Sequence, residues 1–318
     1  MFRRKRRRRT RAAREKIARK IAVKNAKPPR FCRRGASCLF AKGVITHMYE
    51  NKYDSHIHSV NSHDGREEVS AICGAAVARG LKGIAITDHC DINSGGKECM
   101  RVKQRLLADV RRVREDNGGS LLISAGLELG EVHHNPRLAK ELASDPAVDF
   151  IIGSLHQMRG EVDFYYMDFD RFTAADLNEL LLKYYDELAE MVDCGCLDVI
   201  GHINFQARYM SAEARGRLNL EKHYGRLSAI LASAAQKQKG IEINTSGLRR
   251  GPRETLPSPE VVKMFREAGG EIVTIGSDAH NAGSVGKGVA EGMRKLREAG
   301  FESFAFFRQR KASLIPIA

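Results

Sequence analysis

Six of the eleven histidines in this chain stand at or just beyond the ends of short apolar runs. Read in order, the runs end in Asp54-x-His56-x-His58, Thr87-Asp88-His89, Leu127-Glu128, Gly153-Ser154-Leu155-His156, Gly201-His202, Asn244-Thr245-Ser246 and Ser277-Asp278-Ala279-His280. Imidazole and carboxylate together are the usual donor set for zinc, manganese or iron. In His56-x-His58 both rings leave one face of a strand, because side chains two apart point the same way, and Asp278-x-His280 repeats that spacing. A single strand-end histidine is ordinarily a hydrogen-bonded structural residue. Six brought together without a cation would be mutually repelling or desolvated. The pattern points to two or three divalent ions, Zn, Mn or Fe. Such a cluster suits hydrolysis of a small phosphomonoester, because it lowers the pKa of bound water and neutralises phosphate charge.

The elements that must carry these residues alternate. Apolar runs at 53–58, 83–87, 121–127, 148–152, 197–200, 240–244 and 271–275 read as strands. Helical periodicity fills 67–79, 97–116, 176–193, 212–239, 259–268 and 287–299. In the third of these, Leu177, Leu180, Leu181, Tyr184, Leu188, Met191 and Val192 share one face, a packing stripe. Seven strands alternating with helices predict a parallel α/β barrel of seven βα units, whose strand ends converge on one face.

Charge divides the chain unevenly. Of its 53 Lys and Arg, 15 lie in residues 1–30 with one of the 39 acids, so residues 31–318 balance at 38 of each sign. The net charge of +14 is already reached within residues 1–30, part of a tail over 1–47 that is expected to be disordered, ahead of a domain over 48–318. A solvated appendage, or a start codon placed upstream of Met48, is the favoured reading of that tail. A nucleic-acid-binding arm within residues 1–30 and a transit peptide stay open. Seven cysteines with no CxxC pair, no apolar stretch long enough to span a membrane and no export signal predict reduced thiols in a cytoplasmic protein.

The motif order HxH, TDH, Glu, GSxH, GH and SDAH resembles the PHP family of metal-dependent phosphoesterases, over about Tyr53 to Gly300. The strings Gly153–His156, GHINFQARY at 201–209 and EINTSGLR at 242–249 are similar to its histidinol-phosphatase branch. The resemblance implies a distorted (β/α)7 barrel with a trinuclear centre. By position, His56, His58, Glu128 and Asp278 would hold the first metal. Glu128 would bridge to a second with His156 and His202, and Asp64, His89 and His280 would hold the third. Glu128, Asp278 and His280 are catalytic candidates as well as ligands, and Arg208 and Arg249 fall where that branch places phosphate-binding arginines. Asn204 departs from the Asp expected there, a change touching the loop or substrate preference rather than the metals.

The activity implied is hydrolysis of L-histidinol phosphate to L-histidinol and phosphate in histidine biosynthesis. The alternative within the family is a phosphoesterase acting on nucleotides or short oligonucleotides. A nucleic-acid binder working through the tail ranks last, since it leaves the histidines unexplained. Glu131 and Asp163 are both candidates to meet the organic part of the substrate. Asp88 is expected to orient a neighbouring ligand, His133-His134 to form an exposed loop pair, His63 to be a bystander, and His47 and His223 to be solvated.

Overall fold

The structure, a computed structural model, describes residues 49–317. The basic tail, His47, Met48, Cys32 and Cys38 lie outside the described residues.

Seven strands form one sheet in chain order: β1 Tyr53–Ile57, β2 Gly83–Asp91, β3 Leu122–Gly130, β4 Phe150–Ser154, β5 Val199–Ile200, β6 Gly240–Asn244 and β7 Val273–Gly276. Every neighbouring pair is parallel. The first and last strands then meet. Ile57 bridges to Ala279, Asp278 N donates to His56 O at 2.8 Å, and His58 N donates to Ala279 O at 2.9 Å. The sheet is therefore a nearly closed barrel of the expected seven units.

Between the strands lie α1 Val69–Ala78, α2 Gly96–Asp116, α3 Pro136–Ala143, α4 Ala174–Asp193, α5 Ala212–Gly216, α6 Tyr224–Gln236, α7 Pro259–Glu267 and α8 Val289–Glu298. The α4 helix starts at a capping box: Thr173 accepts from Asp176 N, and the Asp176 carboxylate accepts from Thr173 N. Its stripe of Leu177, Leu181, Tyr184, Leu188 and Met191 is fully buried.

Alternation along the strands separates two environments. Ile84, Ile86, Ile241, Ile243, Val273 and Ile275 pack outward with helix residues such as Leu106, Leu231 and Phe265 in one large core. Inward positions carry His56, Glu128 and Glu242, which are buried and bonded to one another.

Three features depart from the sequence reading. The segment 212–239 is two helices, because Gly216 weakens the first and Asn219 Oδ1 accepts from Lys222 N (3.1 Å) to begin a new turn. The α3 helix was not anticipated, although Asn135 caps it through Leu138 N and Pro136 opens it. A C-terminal hairpin, β8 Ser303–Arg308 and β9 Lys311–Pro316, was also missed. Its Ala305, Phe306 and Phe307 join Ala85, Phe150, Ile152 and Val199 in a second, smaller core at the base of the barrel.

Candidate metal centre

The strand ends bring all nine expected ligands into one constellation around Glu128, which is 1 % exposed. Glu128 Oε1 lies 2.8 Å from His202 Nε2 and 3.2 Å from His156 Nε2. Its Oε2 lies 2.9 Å from His89 Nδ1, 3.4 Å from His56 Nε2 and 3.5 Å from His58 Nε2. Asp278 Oδ1 stands 3.5 Å from His58 Nε2 and 3.4 Å from His280 Nδ1. Asp64 closes the outer edge, 2.9 Å from His280 Nε2 and 3.7 Å from His89 Nε2. His89 thus faces Glu128 with one nitrogen and Asp64 with the other, which places it between the second and third ligand groups.

Local backbone makes this crowding possible. A Cβ on Gly276 would meet His56 Cβ at 2.4 Å and Glu242 Oε1 at 2.3 Å, so only glycine lets β7 approach His56. Asp278 is held at φ +52°, a left-handed conformation that aspartate tolerates when its surroundings fix it.

The donor set suits cations rather than a hydrogen-bonded network. Glu128 Oε2 and His89 Nδ1 approach closely, yet neither makes a hydrogen bond, and His202 Nδ1 is also unpartnered. His56 Nε2 and His58 Nε2 are 3.0 Å apart, a contact in which at most one nitrogen can donate to the other. Burial alone would raise the Glu128 carboxyl, but His56, His89 and His156 hold it well below the ordinary range. Burial, then the charges of His280 and His89, push His58 far below a usual imidazole. Ionised Glu128 and neutral His58 are ready-made donors, while the neighbouring carboxylates raise His56, His89 and His156, whose ring protons a bound cation would displace.

Two arginines border the cluster. Arg208 donates to Asp278 Oδ2 (2.6 Å) and Ser246 Oγ (3.1 Å), with its guanidinium over the rings of Phe205 and Tyr209. Arg249 donates to Ser277 O at 2.6 Å. Phe205 stacks on His202 (4.2 Å) and leads through Tyr209 (5.2 Å) to Tyr165 (5.7 Å further), whose side chain is 65 % exposed. An aromatic row therefore rises from the histidines to the surface.

The family model of the PHP domain matches residues 54–246. The chain belongs to the PHP domain family. A histidinol-phosphatase of Lactococcus lactis is 27% identical over 267 residues, covering 80% of this chain and 94% of the relative. A Deinococcus radiodurans protein described as "Probable histidinol-phosphatase" is 28% identical over 263 residues, covering 81% of this chain and 97% of its own. Among solved structures, histidinol phosphate phosphatase from Lactococcus lactis, complexed with zinc, L-histidinol and phosphate, superposes with a TM-score of 0.69 at 23% identity. That match covers 83% of this chain and 99% of the other. Among the described residues, no helix is long and apolar enough to cross a membrane.

Several residues of this PHP barrel differ from the sequence reading. Glu131 is not free at the mouth: its Oε1 accepts from the backbone N of His156 (2.8 Å) and Gln157 (3.1 Å), and burial pushes its carboxyl up to about 8. Asp163 caps a short turn through Tyr165 N (2.7 Å). His133-His134 is not an exposed pair, since His133 is buried and both rings meet Glu187. His223 is buried against Asn178 Oδ1 (2.9 Å), not solvated. Asn204 serves the loop, sitting at φ +66° and accepting from Tyr185 Oη (2.9 Å).

Asp88 accepts from Ser59 N and Oγ and from Ser62 Oγ, and Ser62 Oγ reaches His58 Nδ1 at 3.2 Å. Two carboxylates escaped the sequence reading. Glu242 bonds His56 Nδ1 (2.7 Å) and accepts from His202 N (2.9 Å), and so contacts two of the expected ligands at once. Asp91 Oδ1 is buried without a hydrogen bond, 3.4 Å from His156 Nδ1. Glu242 was legible in one respect: it lies two residues before Asn244, on the same strand face.

Proposed function

We propose that this PHP protein hydrolyses L-histidinol phosphate to L-histidinol and phosphate. The observation that carries the reading is the gathering of His56, His58, Asp64, His89, His156, His202, Asp278 and His280 around Glu128, with two arginines at its edge. Curated relatives spanning most of this chain are described as histidinol-phosphatases, which supports the substrate.

The residues divide into three donor groups, the first two sharing Glu128, in keeping with three zinc, manganese or iron ions. His56, His58, Glu128 and Asp278 form one group, Glu128, His156 and His202 a second, and Asp64, His89 and His280 a third. Divalent ions supply concentrated positive charge there, which polarises the phosphoryl group and makes water acidic enough to attack it near neutral pH. Glu128 and Asp278, held ionised, keep that charge in place, and Glu242 locks the ring of His56 so that its Nε2 faces inward.

Arg208 and Arg249 bind phosphate oxygens through their planar forks, a geometry that lysine cannot reproduce. The rings of Phe205 and Tyr209 hold the Arg208 guanidinium at the site. The aromatic row toward Tyr165 gives the imidazole of the leaving alcohol a surface on which to stack.

The purified full-length protein should release phosphate from L-histidinol phosphate, lose that activity to a chelator and regain it with zinc or manganese. Turnover of nucleoside phosphates alone, with none of histidinol phosphate, would move the assignment to the nucleotide-directed alternative.

A further inference from the structure

Away from the Glu128 constellation, a second set of nitrogen and oxygen donors converges where α4 packs against the turn after β3. His133 Nε2 and His134 Nε2 lie 2.7 and 2.8 Å from the same atom, Glu187 Oε2. The three side chains are 1 %, 10 % and 12 % exposed, so the set is sheltered but open at one edge. Among the described residues, none of the three contacts a member of the constellation through a hydrogen bond or ion pair.

Neighbouring groups contact two of the donors, His134 and Glu187, while His133 Nδ1 is buried without a hydrogen-bond partner. Asn93 lies between Glu131 Oε2 (3.4 Å) and His134 Nδ1 (3.0 Å). With its proton on Nδ1, toward Asn93, His134 aims its Nε2 lone pair at a carboxylate oxygen that is itself an acceptor. Two acceptors 2.8 Å apart share a cation, either a proton or a metal ion. Glu187 Oε1 is occupied by Arg159 N (2.8 Å), which leaves Oε2 as a single donor atom. Arg159 supplies no such cation to Oε2, because its guanidinium bonds Glu190 Oε2 (2.6 Å) and His133 O (3.0 Å).

We propose that His133, His134 and Glu187 form an additional divalent-metal site, suited to zinc, separate from the catalytic cluster. Two imidazoles and one carboxylate with an open edge match three-ligand zinc sites, in which solvent takes the fourth position. Bonds of about 2.0–2.2 Å would spread the donors to roughly 3.4 Å apart. His134, the ring nearest solvent, can make that shift. The ion would staple the turn after β3 to the middle of α4, and Arg159 ties the loop after β4 to the same carboxylate. The inference does not depend on which phosphate ester the protein hydrolyses.

The test is zinc bound at equilibrium by the full-length protein, counted by elemental analysis after dialysis. His134→Gln and Glu187→Gln should each bind one equivalent fewer than the wild type, with phosphate release changed less than about twofold. Zinc should also raise the melting temperature of His56→Ala, and adding His134→Gln to that variant should reduce the rise. Equal zinc equivalents in wild type and both variants would overturn the proposal, since a proton would then suffice between the acceptors. Loss of two or more equivalents would overturn the separateness of the site. If Glu187→Gln fails to fold, the partly exposed His134→Gln decides alone.

Discussion

The two ends of this barrel are built from opposite materials. At the carboxyl ends of the strands, charged and ionisable groups are buried against one another, among them His56, His58, Glu128 and Asp278. At the amino ends, Tyr53 and Phe150 meet the C-terminal hairpin, with Tyr53 4.9 Å from Phe306 and Phe150 stacked 4.8 Å from Phe307. Taking charges out of water opposes folding, whereas closing aromatic rings on one another favours it. The lower half therefore favours the fold where the rim opposes it. Conserving the chemistry and conserving the fold are tasks of different residues.

Substitutions at the two ends should separate these roles. His56→Ala or Asp278→Ala should lower turnover by on the order of a thousandfold and remove bound metal with it. Full metal stoichiometry in His56→Ala would contradict the first ligand group. Phe306→Ala, at the other end, should cost about 3–5 kcal/mol in denaturant unfolding while the folded fraction keeps its turnover. A loss of turnover per folded molecule would mean that base and rim are coupled. Arg249→Ala should keep its metals and lose more than about tenfold in phosphate release, because a charge-assisted bond contributes about 1.5–3 kcal/mol.

The smallest effect is set by pH. Glu131, raised to about 8 by burial, holds its proton more tightly folded than unfolded. It therefore favours the fold fully below pH 4.5, and that contribution is lost as pH rises through 8. Glu131→Gln should gain about 2–4 °C in melting temperature over the wild type between pH 5 and 8. An unchanged difference across that range would show that Glu131 is ionised in the folded protein.

The rim was legible because histidines and acids at the ends of apolar runs have few structural uses. The base was not. The hairpin turns through Gln309 (φ +50°) and Arg310 (φ +60°), where glycine or asparagine would have announced it. Tertiary contacts enforce that turn instead: Arg310 grips Asp198 with two nitrogens (2.7 and 2.9 Å), and Gln309 N donates to Asp149 Oδ1. Glu242 was hidden for a related reason, since a carboxylate inside an apolar strand signals its role only once His56 from the far end of the chain is beside it. The break at Gly216 was visible as a residue, but helical periodicity on both sides outweighed it in the reading.

The meeting of Ile57 with Ala279 has a consequence for biosynthesis. His56 and His58 lie at the end of the first strand of the barrel, and Asp278 and His280 follow its last, β7. A nascent or truncated chain lacking residues beyond Gly276 holds only part of the first ligand group. On the proposed ligand grouping, a chain ending at Gly276 should release no phosphate, so hydrolysis would begin only once the barrel has been translated.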